Sequence, residues 1–301
     1  MKITFLIPML GLIGCTDSNK TEAEETASDE TTDTETPDQA TPVELQPGVN
    51  ELTIDQVVEG ETVERSYIVH LPESYDGTAS TPLLFAFHGN GGEPSEFIEQ
   101  FGPPVSSGEF IGVYPTGIAA SWNIGREEST ADDVAFTASL LAALEGLPGI
   151  DASRPVAMGF SNGAALVQKI AVETDLFVGI VPQVSQLLVE NPPHSEGAKV
   201  SVMQFNGTVD MDCPYDGGSG AMGHVFMSAE GSAAAWAEHN GCDSTATETV
   251  INEHLKMEWE NCEEGRRVIH YKLNDVGHAV PPNIDGGSNA RLVEFLLEAR
   301  Q

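Results

Sequence analysis

Positive charge is scarce: 13 Lys and Arg stand against 47 Asp and Glu in 301 residues, a formal net charge of −34. That balance repels nucleic acid and anionic bilayers at every approach, so both are excluded as direct partners. Cysteine is also sparse, at four residues, and neither C-x-x-C nor H-E-x-x-H occurs, which removes the usual zinc frameworks. No internal repeat is present at any period. The apolar stretch over residues 3–13 is too short to span a bilayer. What is present is 40% apolar residues, ample for one compact domain with a short appendage.

The N-terminus carries an address. Lys2 supplies a short positive end, the apolar stretch follows, and Leu12-Ile13-Gly14-Cys15 resembles a bacterial lipobox. The expectation is a lipoprotein signal peptide at 1–14, cleavage before a lipidated Cys15, and export to a membrane-anchored position facing the periplasm or cell exterior. The membrane is then touched only through the lipid. Between residues 16 and 45 lie ten Asp or Glu, one Lys and little to bury, so 15–45 reads as an acidic disordered tether. Without the tether and Lys2, residues 46–301 still carry about −26, so the acidity is general.

Beyond residue 46, short apolar runs alternate with helical patterns, the mark of an α/β fold with a mostly parallel central sheet flanked by helices. Strands are expected at 66–71, 83–87, 110–114, 155–160, 177–181, 200–205 and 268–273, and helices at 132–144, 162–172, 228–239 and 288–299. Ser129 and Thr130 each precede an aspartate by three residues, so Asp132 and Asp133 are assigned to a capping box.

The informative segment is Gly159-Phe160-Ser161-Asn162-Gly163, set between an apolar strand and a helix. This is G-x-S-x-G in the context that a nucleophile elbow requires. Ser161 falls at a helix N-terminus, and the Asn162 amide faces a developing oxyanion. A hydroxyl needs a base and a group to orient that base, in chain order Ser, Asp, His. Asp210 follows the strand at 200–205 and His278 follows the last strand, each on a loop. Asp212 and Asp275 compete for the acid role. Asp275 is only three residues from His278 and Asp212 lies further from the strand end, so Asp210 is preferred. The loop His88-Gly89-Asn90-Gly91-Gly92 after an early strand fits the H-G-G-G-type oxyanion loop, with Gly89 and Asn90 as donors and His88 bracing it. It lacks the G-x-G-x-x-G spacing of a dinucleotide cradle.

These motifs resemble the secreted α/β-hydrolase family of polyhydroxybutyrate depolymerases and feruloyl or acetylxylan esterases, including its lipoprotein members. The resemblance covers roughly residues 64–297 and extends to Arg65-Ser-Tyr-Ile-Val-His-Leu-Pro, Asp151-Ala-Ser-Arg and Gly207-Thr-Val-Asp-Met-Asp-Cys-Pro-Tyr. It implies the α/β-hydrolase fold, Ser161 as nucleophile, Asp210 as acid and His278 as base, with no metal and no cofactor. It also implies a Cys242–Cys262 disulfide. Cys213 is left over and reads as a buried, inert thiol. The chain departs from the family pattern where Ser121-Trp122-Asn123 has no nearby cysteine, where Ala279-Val280-Pro281 replaces a tryptophan, and where Asn206 replaces a histidine.

The resulting expectation is a monomeric serine carboxylic-ester hydrolase acting through an acyl-enzyme on carbohydrate-acyl (feruloyl or acetyl) or hydroxyalkanoate esters, small or polysaccharide-linked. Trp122 and Tyr215, near the site loops, are candidate faces for an aromatic acyl group or a sugar ring, with a packing role as the alternative. Two other readings stay open: a polyhydroxybutyrate-oligomer depolymerase, and a non-catalytic surface-binding lipoprotein.

Overall fold

The computed structural model describes residues 44–194 and 197–301. The expected signal peptide, Cys15 and nearly all of the expected tether lie outside the described residues.

A long hairpin opens the fold, β1 (Gly48–Val58) with β2 (Glu61–Leu71), followed by β3 (Thr81–Phe87). Two short helices, α1 (Glu96–Gln100) and α2 (Gly102–Ser106), lead to β4 (Ile111–Pro115). Then come α3 (Asp133–Leu144), β5 (Ile150–Phe160), α4 (Asn162–Glu173), β6 (Gly179–Gln183) and β7 (Ser201–Gly207). The two-residue strands β8 (Gly218–Ser219) and β9 (Val225–Phe226) pair with each other ahead of α5 (Ala229–His239). A second hairpin, β10 (Thr247–Ile251) with β11 (His254–Trp259), precedes β12 (Val268–Leu273) and α6 (Ser288–Ala299).

Ten strands form one sheet in the order β1-β2-β4-β3-β5-β6-β7-β12-β11-β10. From β4 to β12 every neighbour is parallel, and the strands beyond at both ends are antiparallel. The central strands are near-continuous apolar runs because helices cover both faces. Phe136, Leu166, Ile170 and Trp236 from α3, α4 and α5 pack on one face, and Phe97, Val105, Leu292 and Phe295 from α1, α2 and α6 pack on the other.

The connection after β3 runs out to β4 on one side and the connection after β5 runs out to β6 on the other, so strand order reverses between β3 and β5. Loops diverge at such a switch point and open a crevice beyond the carboxyl ends of the strands. The glycine loop after β3 and the serine after β5 share that crevice.

The helix at α3 forms where the sequence places it, but not by a capping box. Asp132 is itself the N-cap, accepting the Ala135 N–H at 2.9 Å. Asp133 is buried and ion-paired with Arg65 at 2.8 Å, with both side chains 2% exposed or less. An aspartate followed by a helical run caps directly, which leaves Ser129 and Thr130 outside the helix.

Candidate active site

β5 passes into α4 through Ser161 alone, whose backbone sits at φ 53°, ψ −116°. That region is sparsely populated by L-residues and costs on the order of 1–3 kcal/mol, a strain the surrounding structure must hold. Glycine on both sides is required by close approach. A Cβ at position 159 would lie 2.2 Å from the Gly163 carbonyl oxygen, and one at position 163 would lie 2.2 Å from that of Phe87. The Ser161 N–H donates to the Gln183 carbonyl at 2.9 Å and ties the turn to the end of β6.

His278 Nε2 lies 2.7 Å from Ser161 Oγ, and His278 Nδ1 lies 2.7 Å from Asp210 Oδ2. The other carboxylate oxygen of Asp210 accepts the N–H groups of Asp212 at 2.8 Å and Cys213 at 2.9 Å. With its side chain 1% exposed, Asp210 is held by three groups at once: two amides of its own loop and the imidazole. Its acceptor role makes Nδ1 of His278 the protonated nitrogen and turns the Nε2 lone pair toward the serine hydroxyl. The two loops are cross-tied, Thr208 N–H to Leu273 O at 2.9 Å and Val209 N–H to Val276 O at 3.1 Å. Asp212 and Asp275 are exposed, and Asp212 serves Asp210 only through its amide.

Opposite the histidine, Asn162 is clasped by its side chain. Its Oδ1 accepts the Trp122 N–H at 2.7 Å, and its Nδ2 donates to the Trp122 carbonyl at 3.0 Å and to Glu127 Oε1 at 3.3 Å. The backbone N–H groups of Asn162 and Asn90 have no acceptor among the described residues, and both residues line a cavity of about 70 Å³ beside Ser161. Gly91 is different, since its N–H is taken by Ala120 O at 2.7 Å.

Gly89, like Asn90 and Asn162, has an N–H with no acceptor among the described residues. It does not line the cavity; a Cβ there would lie 3.4 Å from Ser161 Cβ, and its carbonyl accepts from Gly92 N–H and from His88 Nδ1. His88 is buried and braces the loop, accepting the Gly117 N–H on Nε2 at 3.0 Å, and burial lowers its pKa.

Both expected substrate faces are corrected. Trp122 is 0% exposed, its indole N–H donating to the His88 carbonyl at 2.8 Å and its ring lying against Phe87 and His88. Tyr215 is also buried, its hydroxyl donating to Glu230 Oε1 at 3.1 Å and standing 2.9 Å from His270 Nε2. Closeness in sequence to a site loop does not place a ring on the cleft, because a large aromatic gains more by burial.

The sequence left two cavity residues unnoticed. Glu127 Oε1 and His224 Nε2 form a pair at 2.8 Å with side chains 1% and 5% exposed. Burial, the largest influence, raises the Glu127 pKa, but hydrogen bonds from His224 and from the Arg126 and Ile124 amides outweigh it and hold the carboxyl below its usual range. Glu127 stands in a charged Arg-Glu-Glu run that reads as a solvated loop, and His224 belongs to no motif.

Cys242 and Cys262 are disulfide-bonded. Cys213 is a free thiol, buried on the cavity wall, and burial foremost pushes its pKa up to about 12. Asp210, Asp212 and His278 bring ligand-type atoms within 4.8 Å of one another, but the hydrogen-bonded relay already uses the Asp210 and His278 atoms. A larger cavity, about 220 Å³, shares Ile124 and Ala165 with the smaller one and does not reach Ser161.

No family model matches the chain. It is similar to feruloyl esterase B of Piromyces equi, 26% identical over 229 residues, which cover 71% of this chain and 42% of that one. It is similar also to a protein described as "Probable feruloyl esterase C" of Aspergillus terreus, 24% identical over 231 residues, 72% of this chain and 77% of that one. The chain thus spans less than half the length of the Piromyces equi relative. Among solved structures, an acetyl xylan esterase from Aspergillus awamori superposes with a TM-score of 0.59 at 12% identity, covering 83% of this chain and 99% of that one. At that identity the likeness carries the architecture: the chain is an α/β-hydrolase in fold, and in sequence it is similar to feruloyl esterases.

Proposed function

We propose that the protein is a serine carboxylic-ester hydrolase acting on carbohydrate-linked acyl esters. One observation carries the reading: Ser161, His278 and Asp210 form a continuous hydrogen-bonded relay with links of 2.7 Å and 2.7 Å, starting from a strained turn. A purely binding protein has no use for such strain at a solvent-reachable hydroxyl.

Ser161 Oγ attacks the ester carbonyl while His278 Nε2 takes its proton, forming the Oγ–C bond and placing negative charge on the carbonyl oxygen. The free N–H groups of Asn162 and Asn90 receive that charge. Collapse breaks the C–O bond to the alcohol, and His278 returns the proton to the leaving oxygen. Water, deprotonated by His278, then releases the acid and restores Ser161. Asp210 holds the ring in the required tautomer throughout. The similarity to feruloyl esterases and the fold shared with an acetyl xylan esterase support the substrate class. Ser161→Ala keeps the melting temperature and loses nearly all ester hydrolysis; retained turnover would remove the assignment.

The same proposal includes export as a lipoprotein through Cys15, for which the lipobox-like Leu12-Ile13-Gly14-Cys15 is the support. Cys15→Ser then abolishes palmitate incorporation in growing cells, and unchanged labelling would overturn it.

A further inference from the structure

The cavity beside Ser161 has a defined side, a defined size and a fastened wall. His278 must hand its proton to the departing alcohol, so the alcohol leaves on the side of His278. That histidine does not line the cavity, whereas the two oxyanion donors Asn90 and Asn162 do. The cavity therefore receives the acyl part of the ester. Its volume, about 70 Å³, is roughly half of the about 150 Å³ that houses a benzene ring in a protein interior. An acetyl group fills that space, whereas a cinnamoyl-type ring would have to extend past the exposed Met222.

The far wall comes from the connection between β8 and β9. Met222, 51% exposed and at φ 53°, and Phe226 lie along it, with Ala221 N–H on Asp212 O at 2.7 Å. The segment is fastened by one buried side-chain link, His224 to Glu127. Glu127 is itself fixed by the Ile124 N–H at 2.8 Å, the Arg126 N–H at 3.1 Å and the Asn162 amide at 3.3 Å. The wall is thus bolted to the carboxylate that also steadies Asn162. Removing the imidazole takes a hydrogen-bond partner from a buried carboxylate and unties the wall from the residue that steadies Asn162.

We propose that the His224–Glu127 pair is a specificity-determining clamp that holds the Ala221–Phe226 segment as the end wall of a short acyl subsite, restricting hydrolysis to esters of small aliphatic acids, acetyl foremost. The proposal rests on the reading of Ser161 as the acyl acceptor. Met222 is the exposed lip of that wall and His224 its fastening.

The test compares 4-nitrophenyl acetate, hexanoate and cinnamate, which share one leaving group, on wild type, His224→Ala and Met222→Ala. In wild type, kcat/KM for acetate exceeds that for cinnamate by at least about tenfold. In both variants the cinnamate-to-acetate ratio of kcat/KM rises by about tenfold or more. Met222 is half exposed, so its variant folds even where loss of the buried histidine does not. Wild type that hydrolyses hexanoate or cinnamate as well as acetate would overturn the clamp, since the acyl chain would then pass between Ile124 and Ala165 into the larger cavity. Variants that lower all three esters in equal proportion would overturn it too. Wild type inert toward all three defeats the hydrolase reading itself, a distinct result.

Discussion

Asn162 serves the site twice, its side chain pinning the Trp122 backbone while its N–H stays free toward the cavity. Asp210 is similarly committed, to two amides and one imidazole. Asp210→Asn presents an amide group where His278 needs an acceptor, so the ring takes the wrong tautomer. Turnover falls by about 10⁴-fold, the size of effect known for a triad aspartate in a serine protease. Asp212→Asn keeps the backbone groups it contributes, its N–H to Asp210 and its carbonyl to Ala221, and changes kcat/KM by less than about threefold, in line with the small effect of altering an exposed charge. A reversed pattern in the two rate constants would move the acid role to Asp212. Of the site, the serine, histidine and aspartate were legible because each has a fixed place on a strand end. Glu127 and His224 were not, because their meaning comes only from meeting across 97 residues of chain.

At the scale of elements, the parallel strands and the four longer helices were legible, since burial on both faces writes continuous apolar runs. The β1, β10 and β11 strands were not. In β1 the pattern alternates half-buried with exposed residues through Asn50, Glu51, Thr53 and Asp55, and β10 is exposed along most of its length. Such edge pairs are set by the neighbour they lie against and carry little local signal. The start of α3 shows a related limit, where two adjacent aspartates have unlike duties. Asp133→Ala strands the Arg65 guanidinium, which lies 3.8 Å from the Phe136 ring, and costs about 3–5 kcal/mol. Asp132→Ala removes only a cap and costs about 1 kcal/mol. Urea unfolding of the two variants separates them, and equal losses would contradict the buried-pair reading.

For the whole molecule, the excess of carboxylates dominates the surface while a few histidines sit neutral inside. His270 accepts from Gln204 on Nδ1 and contacts the Tyr215 hydroxyl through Nε2, and burial lowers its pKa to about 3. Burial also lowers His88 and His70. Unfolded, these rings take up protons near pH 6.5, and folded they do not. The stability that His270 contributes is therefore complete above about pH 6.5 and declines as pH falls toward about 3, by up to about 1.4 kcal/mol per pH unit, and His88 and His70 act in the same direction. Carboxylates begin to protonate by about pH 5, so the comparison with His270→Asn is what separates the histidine contribution from theirs. The urea midpoint falls from pH 7 to pH 5, and less so in His270→Asn; a midpoint unchanged over that range would contradict the account.

The central claim is that Ser161 is an activated nucleophile. Mass spectrometry of the protein after treatment with a fluorophosphonate probe tests it most directly. The account predicts one adduct per chain, on the peptide holding Ser161, absent from Ser161→Ala and strongly slowed in Asp210→Asn. An unlabelled Ser161, or an adduct on another residue, would contradict it.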